Sequence, residues 1–514
     1  MNPFRNLYYH RPFAGEKTDR TVRADLCVYG GTSAGVTAAV QAAESGLRAV
    51  IVNPGAHLGG MSSGGLGATD LGNKAAVGGL SRRFYRRMLE HYAGRNQAQW
   101  TFEPHVAEAL FTRWTQESEI PVYSGAFLGK AETSGGKLTG LVMENGLRFE
   151  APVFIDATYE GDLMAAAGVS YRVGREANSD YHETLDGVYF GHPGHSFGAW
   201  VDPFRVEGKP GSGLLPGVSE EEPGFQGQGD TRVQAYNFRI CLTKSPDRLP
   251  FPEPPGYDPD RFELLLRYIR DGVWDAMRLN TPLPNGKTDL NNNGAVSTDL
   301  IGGSREWPDG SYETRERIFR EHFQYDLGML YFLANDPRVP AEIRAEAGTW
   351  GLPADEFTRT GGWPHQLYIR EARRMVSDYV VTESDCRHRR AAPDPVALAA
   401  YTMDSHHCRR IVLDGRCVNE GNVEIPPAAP YGVPYRSIVP RRGECGNLLV
   451  PVCLSATHIA YGSIRMEPVF MVLGQSAGTA AALALEKGCD VQDVEYPLLR
   501  KRLLADGQIL EWKP

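Results

Sequence analysis

The sequence predicts an α/β protein: a parallel-sheet domain built from both ends of the chain, with a large α+β domain inserted between them. Three observations predict it. Residues 25–53, DLCVYGGTSAGVTAAVQAAESGLRAVIVN, read as strand, glycine turn, helix and second strand. Between about 176 and 425 prolines and asparagines multiply, aromatics are frequent and strands are short. From Tyr435 the chain returns to a strand (447–456) and a long apolar helix (468–488). The resulting division is an N-terminal arm without a core pattern at 1–23, a first part of the sheet domain at 24–175, the insertion at 176–425, the second part at 426–490 and a helical tail at 491–514.

The first strand needs apolar residues to sit inside a parallel sheet, and Leu26, Val28 and Tyr29 supply them. Gly30 ends it in a tight turn, Gly31, Thr32, Ser33 and Ala34 follow, and Gly35 lets the helix pack close to the strands. The helix N-terminus then directs free amides and its positive dipole end at a pyrophosphate. This is the Rossmann-like arrangement with two departures. Thr32 replaces the middle glycine of G-x-G-x-x-G, and Asn53 replaces the acid at the end of strand two. An Asn amide still hydrogen-bonds a ribose hydroxyl, without a charged acceptor.

Four further segments favour FAD over NAD. Residues 57–70 (HLGGMSSGGLGATD) form a flat glycine-serine track, with Gly59, Gly60, Met61 and Ser62 placed to let a ribityl chain and ring lie along backbone. A strand at 120–127, containing Val122, leads to a β-meander at 129–158 with turns at Gly135-Gly136 and Asn145-Gly146. Residues 154–168 run through Ala157 and Thr158. A second helix, placed near Gly474 with Ser476 and Ala477, can stabilise negative charge on a reduced flavin.

Composition limits the partners. The chain has 514 residues, of which 42% are hydrophobic and 23% charged, as in soluble globular proteins. A net charge of −9 gives no electrostatic case for nucleic acid or an anionic membrane. No window approaches 18 uninterrupted apolar residues, and the first residues lack a leader pattern. None of the eight cysteines forms C-x-x-C, which fits a reducing compartment. The expectation is a cytoplasmic protein with no metal.

In this order the segments resemble FAD-dependent oxidoreductases with a glutathione-reductase-type nucleotide fold. The branch includes the flavoprotein subunits of fumarate reductase and succinate dehydrogenase. The resemblance is carried by DATYEGDLMAAAGVSYRVGRE, VQAYNFRICLT, GWPHQLYIREARRMVSDYVVTE, VPYRSIVP and IAYGSIRMEPVFMVLGQSAG. More narrowly, the chain is similar to bacterial proteins called simply FAD-dependent oxidoreductases, some of them labelled xanthan lyase. The resemblance implies a flavin and leaves the substrate open.

Candidate chemistry follows. By the resemblance, His458 is the first choice for a base beside the flavin, with Arg465 in the same loop as substrate contact or loop anchor. In DSHHCRR, Asp404 precedes His406 and His407. Adjacent histidines on a strand face opposite ways, so at most one of them enters a given pocket, and His406 is taken as the candidate. A helix at 368–381 would put Arg370, Arg373 and Arg374 on one face, able to clamp a carboxylate or to salt-bridge. Residues 287–299 begin like a calcium loop, but the twelfth position is Leu300 rather than Glu. Their Asn and Asp side chains also suit sugar hydroxyls. Some relatives attach FAD covalently through a histidine near the position of His57. The expected reaction is hydride transfer from a CH–OH or CH–NH substrate, a carbohydrate foremost, to flavin N5, with O₂ or another acceptor reoxidising the flavin. CH–CH chemistry of the succinate and fumarate kind, and a non-redox lyase with structural FAD, stay open at this stage.

Overall fold

The computed structural model describes residues 3–93 and 99–513. Met1 and Asn2 of the arm and Pro514 of the tail lie outside the described residues.

Five parallel strands form the central sheet. Their order is Leu448–Leu449, Val153–Asp156, Leu26–Tyr29, Ala49–Asn53, Val122–Ser124. The three middle strands are fully buried, as their near-continuous apolar runs require. The strand at 448–449 brings the C-terminal part of the chain into register beside Phe154 and Ile155. A second sheet, Thr21–Arg23, Arg148–Glu150, Lys137–Met143, Leu128–Ser134, holds most of the expected meander. The last meander strand, Val153–Asp156, leaves it for the central sheet.

Helix Ser33–Glu44 packs on this sheet against helix Glu467–Lys487. A Cβ on Gly474 would lie 2.2 Å from the Ala34 carbonyl oxygen, and one on Gly478 would lie 2.5 Å from that of Ala38. The two helices therefore run side by side in the same direction, at a separation only glycine permits. The second helix starts at Glu467, not near Gly474, and Pro468 in its first turn is the sequence signal for that start. This helix is long and apolar enough to cross a membrane, but 94% of its most apolar window is buried inside the protein.

Residues 176–425 hold a three-stranded sheet (Ile240–Thr243, Lys287–Leu290, Pro282–Leu283), the long helix Tyr312–Asn335 and two short antiparallel pairs, Met403–Ser405 with Val423–Ile425 and Arg409–Leu413 with Arg416–Glu420, while Pro395–Ala399 pairs onward with Tyr431–Pro434. Two expectations fail here. The arm is not without a core: Phe4 and Leu7 are buried, and the Tyr9 ring packs edge-on against Phe127 and Trp307. Residues 368–381 are not a helix. Arg374–Met375 is a strand paired with Tyr171–Arg172, and Tyr368 bridges Asn237. Long-range backbone pairing overrides the helical spacing of the arginines.

Candidate active site

The glycine turn is built for close approach. Gly30 has φ +108°, and a Cβ there would lie 2.7 Å from the Ala157 carbonyl carbon. A Cβ on Gly35 would lie 1.9 Å from the Gly30 oxygen. Thr32 caps the helix, its Oγ1 accepting from the Gly35 amide at 3.2 Å and donating to the Ala157 carbonyl at 2.7 Å. Thr158 turns inward to Asp156, whose carboxyl burial pushes up to about 6. The helix carries no acid in its first turn, so its amides remain suited to an anion. Asn53 Oδ1 accepts from the Gly31 amide at 2.9 Å while Nδ2 donates to the His57 carbonyl at 2.8 Å. Its expected ribose contact must therefore use the amide's remaining hydrogen-bonding capacity. Val122 lies on the edge strand next to Ile51.

From this turn the glycine-serine track runs inward. Gly59 bridges Thr32, and the Met61 amide donates to the Tyr159 hydroxyl at 2.8 Å. Ser62 Oγ and Tyr159 Oη both donate to Glu467, the first residue of the long helix. Both helix N-termini thus converge on the turn and the track. Gly474, Ser476 and Ala477, expected to touch the cofactor, lie further along that helix. Gly474 meets the first helix, Ser476 Oγ donates to the Val396 carbonyl at 2.7 Å, and Ala477 is fully buried. Their places are spent on packing.

Beyond Ser62 the track passes the backbone of Arg239 at Gly65 and of Ala400 at Gly72. There it reaches a buried charged cluster. His406 Nδ1 lies 2.7 Å from Asp299 Oδ2, and Nε2 lies 3.4 Å from Asp404 Oδ2. Arg370 reaches Asp299 at 2.9 Å, and Arg465 reaches Asp404 at 2.8 Å and the Tyr368 hydroxyl at 3.0 Å. Arg239 is paired with Asp289 at 2.6 Å. Burial works to raise the pKa of Asp299 and Asp404, but Arg370, Arg465 and His406 outweigh it and hold both well below the usual carboxylate range. Asp70, at the end of the track, is pushed up by burial.

The four candidates from the sequence separate. His406 and Arg465 belong to the cluster. His458 sits at the start of a buried helix with both ring nitrogens engaged, Nδ1 by Glu371 at 2.8 Å and Nε2 by Ser405 at 2.8 Å. Burial lowers its pKa, and the Glu371 carboxylate more than restores it. Arg374 reaches Glu176 and the Ala456 carbonyl, each at 2.8 Å, and Arg373 reaches Asp162 at 2.7 Å. The three arginines therefore form no common clamp. Asp289 and Asn291 of the calcium-like loop face Arg239 and Arg370. His57 stacks on His365 and meets Glu108 at 2.6 Å.

The parallel sheet, its capped glycine turn and the two converging helices define a dinucleotide-binding protein. The family model described as FAD dependent oxidoreductase matches residues 25–503, and the chain belongs to that family, with FAD as its cofactor. The residues fit the group: turn, acid-free helix start and glycine track form a continuous cradle from Gly30 to Asp70. No curated protein sequence matches the chain. Among solved structures, it is similar to the L-amino acid deaminase from Proteus vulgaris at 14% identity and TM-score 0.24, over 33% of this chain and 55% of that one. The L-proline dehydrogenase from P. horikoshii matches at 13% identity and TM-score 0.24, over 32% of this chain and 59% of that one. The chain thus spans less than two thirds of the length of either.

Proposed function

We propose that the protein is a cytoplasmic oxidoreductase that oxidises a small polar CH–OH or CH–NH substrate, foremost a carbohydrate, at the Asp299–His406–Asp404 cluster. One observation carries the proposal: the glycine-serine track that begins at the dinucleotide turn ends at this cluster. When bound, FAD supplies the hydride acceptor. His406 takes the proton from the substrate oxygen or nitrogen. Asp299, at Nδ1, fixes the tautomer that leaves Nε2 as acceptor, the same division of labour as in other carboxylate-oriented histidines. Nε2 faces the Asp404 carboxylate at 3.4 Å, so the substrate hydroxyl must come between the two for its proton to reach Nε2.

Dicarboxylate chemistry is less well served. Arg239, Arg370 and Arg465 each already face an aspartate, so a carboxylate would find one unpartnered N–H on Arg239 (Nη1) and one on Arg465 (Nε) rather than a whole guanidinium fork. Dioxygen is the proposed acceptor. All eight cysteines are unpaired thiols, in keeping with a reducing compartment.

Anaerobic titration of the holoenzyme with sugars, polyols, amines, succinate and fumarate tests the reading. Bleaching of the flavin by a polyhydroxy compound or an amine is expected. Reduction by succinate alone, or reoxidation by fumarate, would contradict it. His406→Gln is expected to retain flavin and to slow its reduction by about 10²–10⁴-fold, the usual worth of a general base.

A further inference from the structure

A cavity of about 870 Å³ lies on the outer side of the loop that carries Asp299. Val296, Leu300 and Gly302 form one wall, and four arginines face it: Arg261, Arg305, Arg317 and Arg410. Only two acids, Glu306 and Glu321, line it with them. An adjoining cavity of about 250 Å³ shares Arg305 and Arg410 and adds Arg232 and Arg409, against Glu221. Six arginines line the two cavities against three glutamates, and a fourth, Glu420, pairs with Arg409 behind the wall at 2.8 Å, which leaves a local excess of two positive charges in a chain whose net charge is −9.

Arg410 decides what the excess means. Its residue is only 5% exposed, yet its hydrogen bonds go to neutral acceptors alone: Nε to Asn419 Oδ1 at 2.9 Å and Nη2 to the Ala295 carbonyl at 2.7 Å. Among the described residues no carboxylate pairs with it. A buried charge without a counter-charge is costly unless something supplies one. Arg232, although paired with Glu221, stands among like charges: its pKa is pushed down to about 10, first by burial and then by Arg409, Arg305 and Arg175. The exposed rim is better matched: Arg305 reaches Glu221 at 3.2 Å, Arg317 reaches Glu306 at 2.5 Å and Arg261 reaches Glu321 at 3.6 Å. Such exposed pairs exchange easily for another anion.

We infer that this groove is a binding site for a small, multiply charged anion bearing two or more carboxylate or phosphate groups. One group is received by Arg410 at the floor and the others by Arg305 and Arg317 at the rim. The planar guanidinium forks suit such groups geometrically as well as by charge. The site is separate from the FAD cradle and does not depend on the reaction proposed above.

Isothermal titration of the holoenzyme with citrate and with myo-inositol hexakisphosphate tests the inference, with uncharged myo-inositol as control. Saturable binding of at least one anion, weakened by added salt, and none of myo-inositol, is expected. Citrate binding alone would mark the ligand as a carboxylate, and hexakisphosphate binding alone as a phosphate. Arg305→Glu with Arg317→Glu, both on the exposed rim, is expected to weaken the anion at least tenfold while flavin absorbance is unchanged. Arg410→Gln is expected to abolish the anion-induced rise in Tm. Should that buried variant not fold, the rim variant decides. No saturable binding by the wild type, or equal binding by the rim variant, overturns the inference.

Discussion

Gly35→Val is expected to yield protein without flavin. The glycine stands where the first helix turn meets the Gly30 carbonyl, and a Cβ there would overlap that oxygen at 1.9 Å. Either the helix start shifts outward or the turn opens. In both cases Thr32 no longer caps the Gly35 amide, and the free amides no longer converge. Overpacking of this kind costs typically about 1–3 kcal/mol, which alone weakens binding by about one to two orders of magnitude. The loss of preorganised amides adds to it. The check is the flavin-to-protein absorbance ratio after purification, together with FAD affinity of the stripped variant. Stoichiometric flavin at wild-type affinity would show that the turn does not hold the cofactor.

Asp299→Asn is expected both to destabilise the fold and to stall flavin reduction. Asp299 is the one carboxylate shared by Arg370 and His406. Neutralising it leaves a buried guanidinium unpaired, which costs about 3–5 kcal/mol where one partner of a buried pair is removed. It also frees Nδ1 of His406, so the ring loses its preferred tautomer, and reduction slows by about 10²–10⁴-fold. The pH dependence has a definite sign. Because the folded-state pKa of Asp299 is depressed, its stabilisation is present above its unfolded pKa, near 4, and is lost as pH falls toward the folded value. The stability gap between wild type and Asp299→Asn should therefore be constant from neutral pH down to about 5 and close below about 4. Chemical denaturation across that range, with stopped-flow reduction at neutral pH, measures both effects.

What was legible in the sequence was mostly local. The strand–turn–helix at 25–53 is decided by residues a few positions apart: Gly30 takes a positive φ and Thr32 caps its own helix. The later track could be read because small residues crowd together whatever packs on them. The active-site cluster was only half legible. His406 stood out by residue type and Arg465 by the family resemblance, but Asp299 lay in an Asn- and Asp-rich loop whose default reading is structural and which suits sugar hydroxyls better than calcium. Its pairing with His406 spans 107 positions and leaves no periodic trace. His458 was favoured because of its neighbourhood in related proteins, whereas here Glu371 and Ser405 occupy both of its nitrogens. The arm was misjudged for a similar reason. Phe4 and Leu7 have no period, yet they are buried; Phe4 meets Phe323, a residue of a helix hundreds of positions away.

The most direct test is the visible absorption spectrum of the purified protein, followed by addition of FAD to any empty fraction. The account requires the two-banded yellow absorbance of an oxidised flavin, or its appearance at one FAD per chain on reconstitution. A colourless protein that gains no absorbance and no Tm increase from FAD would contradict the cradle from Gly30 to Asp70.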